Sequence, residues 1–229
     1  MIALLCAALS AAIAFTPGPA EMTPREKLIA RMMVVEVAQD GALNRSSDSK
    51  YHGQCRRFQA DSLEQAAQGF ALEGQDGLVL TVPLNHMTED ESRPVGAAWS
   101  QAEAGKVDAY EVVATFDYDP ALTAKENKAR AESFLSQARA GDVLQMIAVY
   151  NSGARGTHTM LISQPYDARD GILYWCDSNF SNTRIDGVRY GYVRARQSWA
   201  MPDVAGWISY DGNTAATLYR LREDIVQEE

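Results

Sequence analysis

The sequence predicts an α+β fold in which N-terminal helices pack on an antiparallel β-sheet. Apolar residues recur at helical spacing up to residue 141 and at period two or in short runs beyond it, and turn-forming residues separate the later runs.

The first helix is announced by Thr23-Pro24-Arg25-Glu26: a capping Thr, a Pro at the first helical position, and Glu three residues after the cap. Leu28, Ile29, Met32, Met33 and Val37 follow at helical spacing, and Asp40-Gly41 ends the run. Residues 42–51 form a polar loop. A second helix opens near Gly53-Gln54-Cys55, with Phe58, Ser62, Ala66 and Phe70 on one stripe that Leu63 and Ala67 widen. Cys55 therefore falls in the first turn of a helix whose rear face packs on the core. Beyond it, residues 78–84 read as a short strand or buried loop and 85–93 as an exposed polar stretch. Residues 98–104 read as a short helix and 109–116 as a strand. Thr123-Ala124-Lys125-Glu126 repeats the capping box, and Ala131, Phe134, Leu135 and Ala138 give a helical face ending at Gly141. Strands are expected over 143–150, 157–163, 172–177, 188–196, 206–210 and 215–221, joined by turns such as Asn151-Ser152-Gly153 and Asp211-Gly212-Asn213.

The chain has 229 residues and shows no repeat or linker, so one domain is expected over 15–229, with an insertion around 72–140. A net charge of −9 repels nucleic acid and anionic membrane surfaces, which excludes both as expected partners. Residues 1–14 are uncharged and apolar, too short to span a bilayer, and carry Ala12-Ile13-Ala14 where a signal peptidase reads small residues. They read as a signal peptide without the usual basic n-region. The expectation is a secreted or periplasmic protein with no stable membrane insertion after processing. Oligomeric state is not legible.

Past that segment two cysteines remain, Cys55 and Cys176, and in an exported protein a single disulfide between them is one reading. The other is catalytic. A helix N-terminus stabilises a thiolate through its dipoles and unsatisfied N–H groups, which can also hold an oxyanion. Gly53 removes bulk where substrate must approach. Of three histidines, His52 lies in the loop and His86 in a polar segment, whereas His158 opens an apolar strand after a glycine-containing turn. The following strand, Trp175-Cys176-Asp177-Ser178-Asn179, can set Asp177 or Asn179 beside His158 to orient the imidazole. Alternation then turns Cys176 to the opposite face, away from Cys55. No metal or other cofactor is expected, since no three or four ligands recur at metal spacing, and Gly-x-Ser-x-Gly is absent.

With these residues the sequence resembles the cysteine, histidine-dependent amidohydrolase/peptidase (CHAP) family, within the papain-like group that includes NlpC-type cell-wall endopeptidases. Tyr51-His52-Gly53-Gln54-Cys55-Arg56-Arg57-Phe58 resembles its nucleophile motif, and Gly141-Asp142 the Gly-Asp pair that begins a family strand. Thr157-His158, followed by Cys176-Asp177-Ser178-Asn179-Phe180, resembles its histidine and acidic strands. Thr157 stands where the family has Gly, Asp177 where it commonly has Glu, and the segment before Gly141 is longer than in compact members. The resemblance implies a papain-like fold, Cys55 as nucleophile, His158 as base, Asp177 as orienting acid and Asn179 as its assistant. Asp142 would be scaffold. Gln54, Tyr51, His52 and Trp175 are the candidates for the oxyanion and substrate cleft. The implied activity is amide hydrolysis in a peptide or peptidoglycan substrate. Acyl transfer or side-chain deamidation on the same residues, and a non-catalytic secreted binding module, are the alternatives.

Overall fold

Two threonines start helices in the same way. Thr23 Oγ1 accepts the Glu26 N–H at 3.2 Å while Glu26 Oε2 accepts the Thr23 N–H at 2.8 Å, and Thr123 with Glu126 repeats both distances. Each pair satisfies two otherwise orphaned donors. The structure, a computed structural model, describes residues 22–45, 54–73, 78–80, 87–89, 97–99 and 109–228. The expected signal segment and the cleft candidates Tyr51 and His52 lie outside the described residues.

The helices are α1 (Pro24–Ala38), α2 (Gln54–Glu73), α3 (Ala124–Leu135) and α4 (Met201–Ile208). The strands are β1 (Leu43–Arg45), β2 (Leu78–Leu80), β3 (Met87–Glu89), β4 (Ala97–Trp99), β5 (Tyr110–Asp117), β6 (Val143–Val149), β7 (Arg155–Ile162), β8 (Ile172–Ile185), β9 (Val188–Ala200), β10 (Ala215–Leu221) and β11 (Val226–Glu228). Seven of them form one antiparallel sheet in the order β1-β9-β8-β7-β6-β10-β5. The arrangement is α+β.

Helices cover both faces of this sheet. Alternation along each strand sorts the buried side chains into two clusters. Leu161, Cys176, Ala195 and Tyr219 pack under Leu28, Met32 and Met33 of α1 and Leu63 and Ala66 of α2. Met160, Ile162, Trp175 and Leu218 pack under Phe134 and Leu135 of α3 and Val204, Ala205 and Trp207 of α4. The early helices supply one layer, and a second layer closes the other face. Both β5 and α3, inside the segment expected as an insertion, belong to this main body.

Two local expectations are corrected. Residues 206–210 are not a strand: 206–208 end α4 and Ser209 caps it, with Pro202 in the first turn and Met201, Val204, Ala205 and Ile208 buried at helical spacing. Trp207 and Ile208 have strand composition, but the period that governs them is 3.6. The short helix expected over 98–104 gives way, where described, to β4 paired with β3. Cross-strand pairing has overridden the helix preference of Ala97 and Ala98.

Candidate active site

The sheet opens beside β7, and this opening builds the site. β7 pairs with β6 along its whole length, from Val143↔Leu161 to Val149↔Arg155. With β8 it pairs only through Met160↔Asp177, Leu161↔Cys176 and Ile162↔Trp175. Residues 155–159 thus part from β8, which continues along β9. The first turn of α2 enters this fork from its own face. There the Cys55 sulfur takes hydrogen bonds from the Thr159 and Arg56 backbone and meets the His158 side chain.

His158 shares a face with Met160 and Asp177, so the acid lies diagonally across the pair. His158 Nε2 is 3.2 Å from Asp177 Oδ2, with both side chains buried. The ring N–H is not well aligned, so the contact is a bent hydrogen bond within a close ion pair. With Nε2 turned to the acid, Nδ1 is the nitrogen left for the thiol. Trp175 Nε1 donates to the same Asp177 Oδ2 at 2.6 Å and fixes the carboxylate from behind. Trp175 is fully buried, which corrects its assignment to a substrate cleft: it is a core residue that holds the acid.

Burial alone would push the Cys55 thiol up. The His158 charge and hydrogen bond, with the two backbone groups, outweigh it and hold the thiol below its ordinary range. His158 answers in the opposite sense. Burial would lower it, but the Cys55 charge and the Asp177 hydrogen bond and charge push it up to about 10. Both shifts favour the charged forms of the pair, a thiolate on Cys55 and an imidazolium on His158. Such a pair can attack an electrophilic carbon and then return a proton to a leaving group.

Cys176 points to the opposite face from His158, and its Sγ contacts the Ala195 carbonyl at 3.0 Å. Both Cys55 and Cys176 are free, so no disulfide joins them. Asn179 is not brought to the imidazole by any described hydrogen bond. It adopts φ 74° where β8 bulges against β9, it packs on Gly191, and its Oδ1 is buried without a partner. Gln54 is the first residue of α2, and its side chain lies outside the described groups. Asp142 is structural: Arg220 Nε and Nη2 donate to its two oxygens, each at 2.8 Å, and the Arg139 N–H donates at 2.8 Å.

Sequence reasoning placed Phe180 in the acidic-strand motif but gave no role to its ring, which covers the imidazole. Phe180 stands 5.2 Å from His158 and gathers Tyr150, Trp175, Trp199 and Trp207 within 5.5–6.1 Å. The bulge at Asn179 lets this side chain return over the site. Tyr150 follows β6, and its hydroxyl is pushed up by burial and by the Cys55 and Asp177 charges, so it stays protonated beside the pair. Among the described residues no group of three potential metal ligands occurs, and no helix is long and apolar enough to cross a membrane. In comparisons with known proteins, no family model, curated protein or solved structure matches this chain.

Proposed function

We propose that the chain is an extracytoplasmic cysteine amidohydrolase or peptidase of the papain-like CHAP type, acting on amide bonds of peptidoglycan peptides. The observation that carries the chemistry is an unlinked Cys55 at a helix N-terminus against His158 and Asp177. The peptidoglycan substrate rests on the motif resemblance, and export on the apolar segment at residues 1–14.

In this reading the Cys55 thiolate attacks the amide carbonyl carbon. The electron pair of the C=O bond moves to oxygen, where N–H groups at the start of α2, that of Cys55 among them, stabilise the oxyanion. The oxyanion collapses and the C–N bond breaks. His158 gives its proton to the departing nitrogen, leaving an acyl thioester on Cys55 and a neutral imidazole. Water then attacks the thioester, His158 takes its proton, and the carboxylic acid leaves as the ion pair re-forms. Asp177 holds the ring and stabilises the imidazolium without itself being protonated.

The test is incubation of the purified protein with cell-wall fragments and with soluble peptides, beside Cys55→Ala, with products read by mass spectrometry. Hydrolysis at a defined amide that Cys55→Ala abolishes is the expected result. Cys55-dependent cleavage of soluble peptides alone removes the cell-wall substrate. A Cys55-linked acyl group passed to an added amine instead of water marks an acyltransferase. No Cys55-dependent change in any substrate, with a thiol of ordinary acidity, overturns the enzyme reading.

A further inference from the structure

Behind β8, on the face away from His158, the carboxyl of Glu36 is completely buried. Cys176, Ser62 and Gln59 lie against it. Their well-formed bonds go elsewhere: Ser62 Oγ donates to the Phe58 carbonyl at 2.8 Å, Cys176 Sγ to the Ala195 carbonyl at 3.0 Å, and one Gln59 Nε2 hydrogen to the Cys176 carbonyl at 3.4 Å. Both Glu36 oxygens and Gln59 Oε1 are left as buried acceptors without a donor. An ionised carboxylate would be unsatisfied there, which is strongly unfavourable. A proton on Glu36 removes the charge and supplies a donor, and Gln59, whose Oε1 also lacks a partner, lies against it.

Gln59 lies one helical turn beyond Cys55 on α2. The carbonyl it holds, that of Cys176, belongs to the peptide joined to Asp177. We propose that Glu36, held protonated, and Gln59 form a latch that positions the nucleophile helix against the strand carrying the orienting acid. Glu36 is a positioning residue acting through Gln59, and the latch rests on the Cys55–His158 reading of the site. Burial, with the Asp177 charge adding to it, pushes the Glu36 carboxyl up to about 8 against the lowering effect of the polar Cys176, Ser62 and Gln59 side chains beside it. The titratable groups facing this cluster are Cys176 and Asp177 from β8, Tyr110 from β5, and Asp40 just past α1; none of them is a cation. Ionisation therefore removes the donor to Gln59 and sets a second negative charge behind Asp177.

The test uses the full chain. In an infrared pH titration, wild type is expected to lose the carbonyl band of a protonated carboxyl with a midpoint near pH 8, and Glu36→Gln to lack that band. No such band in wild type, or one that survives in Glu36→Gln, overturns the proposal. For positioning, the readout is iodoacetamide alkylation of Cys55 at about pH 6, where a thiol outside the ion pair is protonated and unreactive. Gln59→Leu should slow it about tenfold or more, while Glu36→Gln, which keeps a donor toward Gln59, retains the wild-type rate. A Gln59→Leu protein that melts earlier but alkylates at the wild-type rate reduces Gln59 to a structural role and overturns the latch. If wild-type Cys55 itself reacts as an ordinary thiol, the catalytic reading fails and the latch with it. The infrared result then still decides the state of Glu36.

Discussion

At the scale of single residues, the chemistry is set by groups whose burial and charge oppose each other. Cys55 is held below its ordinary range and His158 is raised to about 10, so each favours the charged form of the other. The proposed hydrolysis should rise with pH as the thiolate forms, below the range of a free thiol near 8.5, and fall as His158 loses its proton toward pH 10. A pH–rate profile checks both limbs. Asp177→Asn removes the charge that holds the imidazolium and should lower kcat on the order of 10³-fold, with the fold intact by circular dichroism. Trp175→Phe keeps the packing but deletes the 2.6 Å bond to Asp177 Oδ2, and a loss of about tenfold in kcat/KM is expected. These residues were legible because each chemistry-bearing type stands in a local context that suits it: Cys at a helix start, His at a strand start, Asp on the next strand. Glu36 carried no such signal, and Phe180 stood in the acidic-strand motif without a role of its own. Glu36 reads as one polar position of α1, and Phe180 as one more strand aromatic.

At the scale of elements, a bulge does what regular pairing cannot. Ser178↔Val193 and Asn182↔Gly191 leave more chain on β8 than on β9, and the surplus carries Phe180 back over His158. Gly191 makes room for it, since a Cβ there would stand 2.6 Å from the Asn179 Cβ and 2.7 Å from its Cα. Gly191→Ala should cost about 2–3 kcal/mol in urea unfolding and slow alkylation of Cys55, because the bulge must move. The caps are more local. Thr123→Ala should cost about 1 kcal/mol and leave thiol reactivity unchanged, since α3 lies on the layer opposite α2. Cap residues and periodicity placed α1, α2 and α3 from sequence. They failed at α4, where eight residues rich in strand formers gave too short a window for the helical period to stand out.

At the scale of the whole molecule, two buried carboxyl groups tie distant segments together. Asp142, 1% exposed, joins the turn after α3 to β10 through Arg220. Asp142→Ala removes the main partner of that partly exposed guanidinium and should cost about 2–3 kcal/mol, read by denaturant, with the folded protein still reactive at Cys55. Glu36 makes stability fall with pH. Its folded value near 8 lies above the 4.5 of the free group, so its contribution is complete below about 4.5 and is lost as pH rises to about 8. Melting temperature should decline across that window in wild type and stay flatter in Glu36→Gln.

The sequence by itself determined the α+β class, most element positions and the residue types able to do chemistry, because capping boxes, apolar periods and turn residues act over a few neighbours. It also carried the alternation that separates Asp177 from Cys176. Tertiary structure alone decided that β7 and β8 part after three pairs, that α2 enters the gap, and that helices cover both faces. Those outcomes depend on how far strands stay paired and on which side chains meet across the layers. Contacts between residues more than 100 apart, such as Gln59 with Cys176, leave no periodic trace in the chain.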